Sequence, residues 1–402
     1  MTTKQFPTSP HISITAAAEA ASAQLPYLPF SKPLIDEDAI AGAVDVLRSG
    51  WIASGPNVLK FEQALSEYLG GRPTRVVTSA TAALEVALQI ASIGPGNEVI
   101  TSAMSFFAAP SMIIKVGARP VFVDCDLTTR NIDFAQVEAA ITPRTKAIMP
   151  THFAGLPVDM EHLYAVAQRH GLRVIEDAAL AIGSRWKGRR IGAFGDLVTF
   201  SFHPNKNMTT IEGGALVMSS EGEAKLAEKL RFHGIVRLPD GTRDVDIAGG
   251  KFNMPDVNAR IGLSQLARLE EFIARRRTLA ARYFANLHTD PQCVPPAHAY
   301  AGEEDGHSWN MFCVLLPLER LDITRKQFID AMHARGIGVG ISYEALHLTT
   351  LCRGFGYREG DFPNAERISR ETVTLPLFPA MSTGDVDRVC KTIAEVLAHA
   401  RR

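Results

Sequence analysis

Three short stretches of the chain hold groups that could share one chemistry. In SFHPNKNMTTIEGG, residues 201–214, Lys206 follows the apolar run LVTFSF and has no Asp, Glu, Lys or Arg within five positions on either side. Such surroundings disfavour an ammonium, and the free amine is a nucleophile toward carbonyls. The plainer alternative is a lysine that pairs with a phosphate or an acid for binding only. Asp177 ends the run RVIED, and a carboxylate at the mouth of a buried strand needs a cation or hydrogen bonds. Its plainer alternative is a strand-end acid making a turn. Glu176, one residue back, should face the other side of the pleat. Ser79, Ala80 and Thr81 follow RVVT and open a helical pattern, so backbone N–H groups and two hydroxyls can meet an anion. Alone, Ser79 or Thr81 would merely cap that helix. Together, an amine, a carboxylate and an anion cradle are what pyridoxal 5'-phosphate requires: a Schiff-base lysine, an acid on the pyridine nitrogen and a helix end for the phosphate.

The surrounding pattern supplies a frame that would gather these groups. From about residue 74, short β-branched runs (RVVT, EVITS, RPVFVDCD, KAIMPTH, RVIED) alternate with helical stretches such as VDMEHLYAVAQRHG. That alternation predicts an α/β fold with a mostly parallel sheet covered on both faces, whose strand ends collect ligands. VTFSF and GALVMSS leave little room for a helix between them, so one strand should run antiparallel. From Pro255 to about Leu287 the pattern is one long helix, read as a connector between lobes. The remainder predicts a smaller α+β lobe. The expected division is a tail over residues 1–24, a large cofactor-binding domain over 25–255, and the connector with the small C-terminal domain over 256–402.

Composition narrows the class. The 402 residues are 46% apolar and 21% charged with a net charge of -1, so no basic surplus points to nucleic acid or an anionic membrane. No apolar run approaches the roughly 20 residues that span a bilayer. The N-terminus does not read as a secretory signal. Five scattered cysteines without CxxC spacing argue against a zinc site or a disulfide framework and fit a reducing cytoplasm.

The ordered markers SGWIASGP, SATAAL, EVITSAMSFFAAPSMI, VFVDCD, THFAGLPVDM, IEDAALAIGS, SFHPNKNMTTIEGG, FHGI, FNMPDVNARIGLSQL and LPLFPAM give the chain a resemblance to the DegT/DnrJ/StrS family of pyridoxal-phosphate nucleotide-sugar aminotransferases, from about Pro29 to Val389. Several look most like the branch that makes UDP-4-amino-4-deoxy-L-arabinose. The resemblance implies the PLP-dependent transferase fold type I, aspartate aminotransferase-like, as a cytoplasmic homodimer with shared active sites. It implies that Lys206 carries the Schiff base, Asp177 pairs with the pyridinium, and Phe106 stacks on the ring. Ala80, Thr81 and Ser201 would hold the phosphate, with Asn253 reaching it from the neighbouring subunit. Ser54, Tyr343 and His347 are expected at the substrate site. The implied reaction moves an amino group from glutamate to a nucleotide-linked ketosugar, a UDP-4-keto sugar in that branch, for lipopolysaccharide, lipid A or other cell-surface polysaccharide. Dehydratases of this fold replace the lysine with histidine; here the lysine is present.

Two departures stand out. Leu180 occupies a position where relatives commonly have Gln or His against the cofactor's phenolic oxygen. Where relatives often read HYxPLH, this chain has SYEALH, so Ser342 and Glu344 change polarity near the presumed sugar site. Alternatives are a 3-keto or 4-keto-6-deoxy hexose acceptor, or a catalytically silent cofactor-binding regulator. A nicotinamide enzyme lacks support, because no G-x-G-x-x-G follows the first strand.

Overall fold

A computed structural model describes residues 26–299 and 306–402; the tail expected over residues 1–24 lies outside them. Among these residues no helix is long and apolar enough to cross a membrane.

Thirteen strands follow in chain order among the described residues: β1 Thr74–Val77, β2 Glu98–Ser102, β3 Arg119–Val123, β4 Thr145–Met149, β5 Arg173–Asp177, β6 Arg185–Trp186, β7 Arg189–Arg190, β8 Leu197–Ser201, β9 Gly214–Val217, β10 Ile235–Arg237, β11 Arg243–Val245, β12 Phe312–Leu315 and β13 Thr372–Leu375. Seven form the main sheet in the order β1-β9-β8-β5-β4-β2-β3. The neighbours β3, β2, β4, β5 and β8 are parallel, and β9 runs antiparallel to both β8 and β1. As expected, the tight passage from VTFSF to GALV makes the one reversed strand. Strands such as β2, β8 and β9 are buried along their whole length, because apolar layers cover both faces. One layer joins Val76, Val174 and Phe200 to Phe61 and Leu163; the other joins Val77, Ile175 and Leu216 to Leu84 and Leu88 of the helix Ala80–Ile90.

The second lobe has its own core around Tyr283, Phe312, Phe328, Val373 and Ile393. It is built on the antiparallel pair β12–β13, with helices Arg325–Ala334 and Thr383–His399 beside it. Two expectations need correction. The stretch from Pro255 is two helices, Asp256–Ala267 and Leu269–Asn286, broken at Arg268. Neither Pro nor Gly marks the break. It re-aims the second helix so that Leu269 and Ile273 fill the first core while Leu279, Ala280 and Tyr283 fill the second. The division at residue 255 is likewise displaced: Ala259 packs in the large lobe, and the boundary runs through the helix Leu269–Asn286. At the other end, Leu28 belongs to the small lobe. Its N–H donates to Gly336 O at 2.9 Å, its carbonyl accepts from Gly338 N–H at 2.8 Å, and its side chain enters that core. A third cluster, with Phe153, Leu180, Met311, Cys313 and Leu346, joins the lobes above the strand ends.

Candidate active site

Between β8 and β9 the chain makes a loop whose ends meet. Phe202 N–H donates to Gly213 O at 2.8 Å, and Thr210 N–H donates to Phe202 O at 2.9 Å. Lys206 sits near its middle, and the residues around it are held from outside. Asn207 donates its amide to Ile182 O at 3.2 Å, while the Asn310 amide reaches Asn205 O at 3.2 Å and Asn207 Oδ1 at 3.1 Å. From beneath, Arg276 donates to Leu377 O at 2.7 Å, Asn310 O at 3.1 Å and Trp309 O at 3.3 Å, with a long bond of 3.5 Å to Lys206 O. Four carbonyls thus stand in for a counter-ion, and burial lowers the Arg276 pKa. The lysine backbone is fixed while its amine is free: among the described residues Nζ makes no hydrogen bond or ion pair. Burial pulls this amine down from 10.5 to about 8, against the opposing pull of Asp177.

Asp177 closes β5, beside Thr199 of β8. It is buried, and desolvation raises its carboxyl pKa. Opposing that, Ala179 N–H donates to Oδ1 at 3.2 Å, Lys206 and His152 attract the anion, and the Thr151 hydroxyl lies 3.4 Å from Oδ2. Glu176 points the other way, as the pleat requires. It accepts from Tyr164 at 2.6 Å and from His152 Nε2 at 2.9 Å, while His152 Nδ1 accepts from Val158 N–H at 3.0 Å. The second acid of RVIED is therefore fully engaged behind the strand.

At the next strand end, the Ser79 hydroxyl accepts from Ala82 N–H at 3.1 Å, so Ser79 is the helix cap. Among the described residues the N–H groups of Ala80 and Thr81 are left unpaired at the helix start, where the dipole favours an anion. Gly214 makes this geometry possible: a Cβ there would lie 2.5 Å from Ala80 N and 2.5 Å from the Ser79 carbonyl carbon. No side chain fits between β9 and the cradle.

These groups converge on one cavity of about 330 Å³. Its walls include Ala80, Thr81, Ser201, Lys206, Asp177 and Phe106, with Leu180 and Tyr343 completing the far side. Phe106 is half exposed over the opening, its ring 5.7 Å from that of Tyr343. A neighbouring chamber of about 260 Å³, lined by Ser31, Asn310 and Ser342, shares Asn205 and Tyr343 with it.

Of the three expected substrate-site residues, Tyr343 lines the cavity, whereas His347 and Ser54 lie elsewhere in this chain. His347 is a correction: it is fully buried, 3.0 Å from Glu366 Oε1 and edge-on to Phe362, so it is a packing residue shut off from the cavity. Ser54 is exposed outside the cavity, donating to Met254 O at 2.8 Å and accepting from Asn253 at 2.5 Å; Asn253 also accepts from Lys251. Asn253 is likewise outside this chain's own cavity. Ser342 turns inward, its hydroxyl accepting from Thr374 at 3.0 Å, and Glu344 faces solvent. Sequence reasoning missed the supports Thr151, Asn207, Asn310 and Arg276. Thr151 and Asn207 lie inside stretches singled out for other residues; Asn310 and Arg276 carry no local signal.

The cavity's donor set fits pyridoxal phosphate. An unpaired amine faces a buried carboxylate, and free N–H groups wait at a cradle too tight for any side chain on Gly214. A mostly parallel sheet with one reversed strand, a lysine loop beside that strand and a second lobe over the strand ends define a fold type I pyridoxal-phosphate enzyme. Comparison with known proteins agrees. Residues 33–394 match the DegT/DnrJ/EryC1/StrS aminotransferase family. The chain is 38% identical over 384 residues to the spore coat polysaccharide biosynthesis protein SpsC of Bacillus subtilis, spanning 93% of this chain and 98% of that one. It superposes on the PMP form of Spr1654 from Streptococcus pneumoniae with a TM-score of 0.87 at 32% identity, covering 92% of this chain and 99% of that one. With PseC of Helicobacter pylori, an aminotransferase involved in the biosynthesis of pseudoaminic acid, the TM-score is 0.86 at 26% identity, covering 93% and 100%. The chain belongs to the DegT/DnrJ/EryC1/StrS aminotransferase family, and its cofactor is pyridoxal phosphate.

Proposed function

We propose that the protein transfers an amino group from glutamate to the ketone of a nucleotide-linked sugar, a 4-keto sugar for cell-surface polysaccharide or lipid A. The single observation carrying the reading is the Lys206 amine, unpaired and lowered to about 8, facing Asp177 across one cavity. SpsC and PseC, each described by a sugar pathway, support a sugar acceptor.

When bound, pyridoxal phosphate supplies an aldehyde that condenses with amines and a ring that stores the electron pair released at carbon. The chain's own groups do the rest. Lys206 Nζ would hold the cofactor at rest and, once displaced by the donor's amine, would carry a proton away from the donor's α-carbon and return it one atom further on. Asp177 would keep a proton on the pyridine nitrogen. Ala80 and Thr81 N–H groups and the Ser201 hydroxyl would bind the phosphate, and Phe106 would cover the ring and exclude water. The keto acid leaves before the ketosugar enters, so the kinetics are ping-pong.

A homodimer completes the site in this reading. Trp51 and Phe232 are exposed apolar residues beside Ser54, Lys251 and Asn253, and a second copy covering them would bring Asn253 to its neighbour's phosphate end. Five buried free thiols suit a reducing cytoplasm.

A panel of nucleotide-linked 4-keto pentose, 4-keto-6-deoxy hexose and 3-keto sugars with labelled glutamate tests the reaction. The expected result is label transfer to one class, abolished in Lys206→Ala although that variant still binds cofactor. Transfer to none, or retained turnover in Lys206→Ala, refutes it.

A further inference from the structure

We infer that Tyr343 donates the hydrogen bond to the cofactor's ring oxygen that Leu180 cannot give. The inference rests on the reading of Lys206 and Asp177 above.

The order of the strands sets the placement. Along the sheet, Ala80 and Thr81 follow β1, Ser201 ends β8 and Asp177 ends β5; Thr151 lies beyond β4 and Phe106 beyond β2. A pyridine ring with its phosphate arm at the β1–β8 end, its nitrogen at Asp177 and its aldehyde carbon at Lys206 turns its one oxygen substituent toward β4 and β2. Tyr343 is on that side. Its segment is tied to the loop after β2 by the bridge Met104–Ala345, and its ring lies 5.7 Å from Phe106 and 6.0 Å from Phe153. It packs against the cluster that contains Leu180, Phe153 and Met311.

A buried ring oxide needs a donor. Leu180 and Ala179 offer none from their side chains. Thr151 is already engaged, 2.7 Å from Ser105 Oγ and 3.4 Å from Asp177. Ser201 and Thr81 stand at the phosphate end. Among the described residues the Tyr343 hydroxyl has only the thioether of Met311 at 3.8 Å, a weak acceptor. Burial raises its pKa, so the hydroxyl keeps the proton it would donate.

The contact has a spectroscopic signature. A donor on the ring oxide draws off the negative charge that otherwise holds the neighbouring imine proton, so removing the donor makes that proton harder to lose. In protein loaded with pyridoxal phosphate, Tyr343→Phe should raise the pH midpoint of the visible absorbance change by about 1 to 2 pH units, the worth of a hydrogen bond to a charged group. Leu180→Gln in the Tyr343→Phe background should bring the midpoint back toward the parent value. A midpoint unmoved by Tyr343→Phe, with borohydride still fixing the cofactor to Lys206, overturns the inference and leaves the Schiff-base reading standing. Loss of the chromophore from the parent protein itself would overturn both.

Discussion

Replacing Lys206 by methionine should make the cofactor-free protein more stable, and the gain should depend on pH in a way that identifies the amine as its source. The amine falls from 10.5 to about 8 on folding. At roughly 1.4 kcal/mol per pKa unit, carrying the charged form into the folded state costs about 3 kcal/mol. Because the folded pKa lies below the unfolded one, the folded protein binds fewer protons than the unfolded chain between about 8 and 10.5. Stability therefore rises with pH through that window, and the cost is fully present below it. Methionine has similar length and no charge to desolvate. Urea denaturation of cofactor-free Lys206→Met should show a gain of about 3 kcal/mol at pH 7, shrinking as pH passes 8 and nearly gone by 10.5. Lys60→Met, at an exposed position, should change little at any pH. A Lys206→Met protein no more stable than the parent at pH 7, or a gain that persists unchanged to pH 10.5, refutes the premise that burial holds this amine near neutrality.

Two further variants probe the phosphate end. Gly214→Ala would press a methyl to 2.5 Å from the Ala80 backbone, so the helix start must move; a fluorescence titration should show affinity for pyridoxal phosphate lowered at least about tenfold, the effect of a lost hydrogen bond, with circular dichroism unchanged. If Asn253 serves the neighbour's site, Lys206→Ala and Asn253→Ala proteins should be inactive alone yet recover about a quarter of the parent's activity when their subunits are exchanged in equal amounts, since half the dimers are mixed and each holds one intact site. No recovery after verified exchange would confine Asn253 to its own chain.

What the sequence disclosed depended on how local each signal was. Lys206 and Asp177 each stand at the end of a buried apolar run, where an ionisable side chain conflicts with its surroundings, and that conflict is legible from neighbours alone. The reversed strand β9 followed from a connection too short for a helix. His347 misled because a histidine in a marked motif looks the same whether it faces a cavity or, as here, Glu366. The break at Arg268 and the placement of Leu28 in the small lobe come from the need to serve two cores at once, a tertiary demand without a punctuating Gly or Pro. Arg276 was equally silent: in ARRR nothing distinguishes the arginine that ends up beneath Lys206 from Arg275 and Arg277 beside it.

The bridge between Met104 and Ala345 has a wider consequence. The groups proposed to handle nitrogen and phosphate ride on one rigid sheet, while Tyr343 arrives from the other lobe on a short tether, with Ser342 and Glu344 beside it. A lineage, or a designer, could rewrite that tether to receive a different carbonyl compound while leaving the reactor beneath untouched.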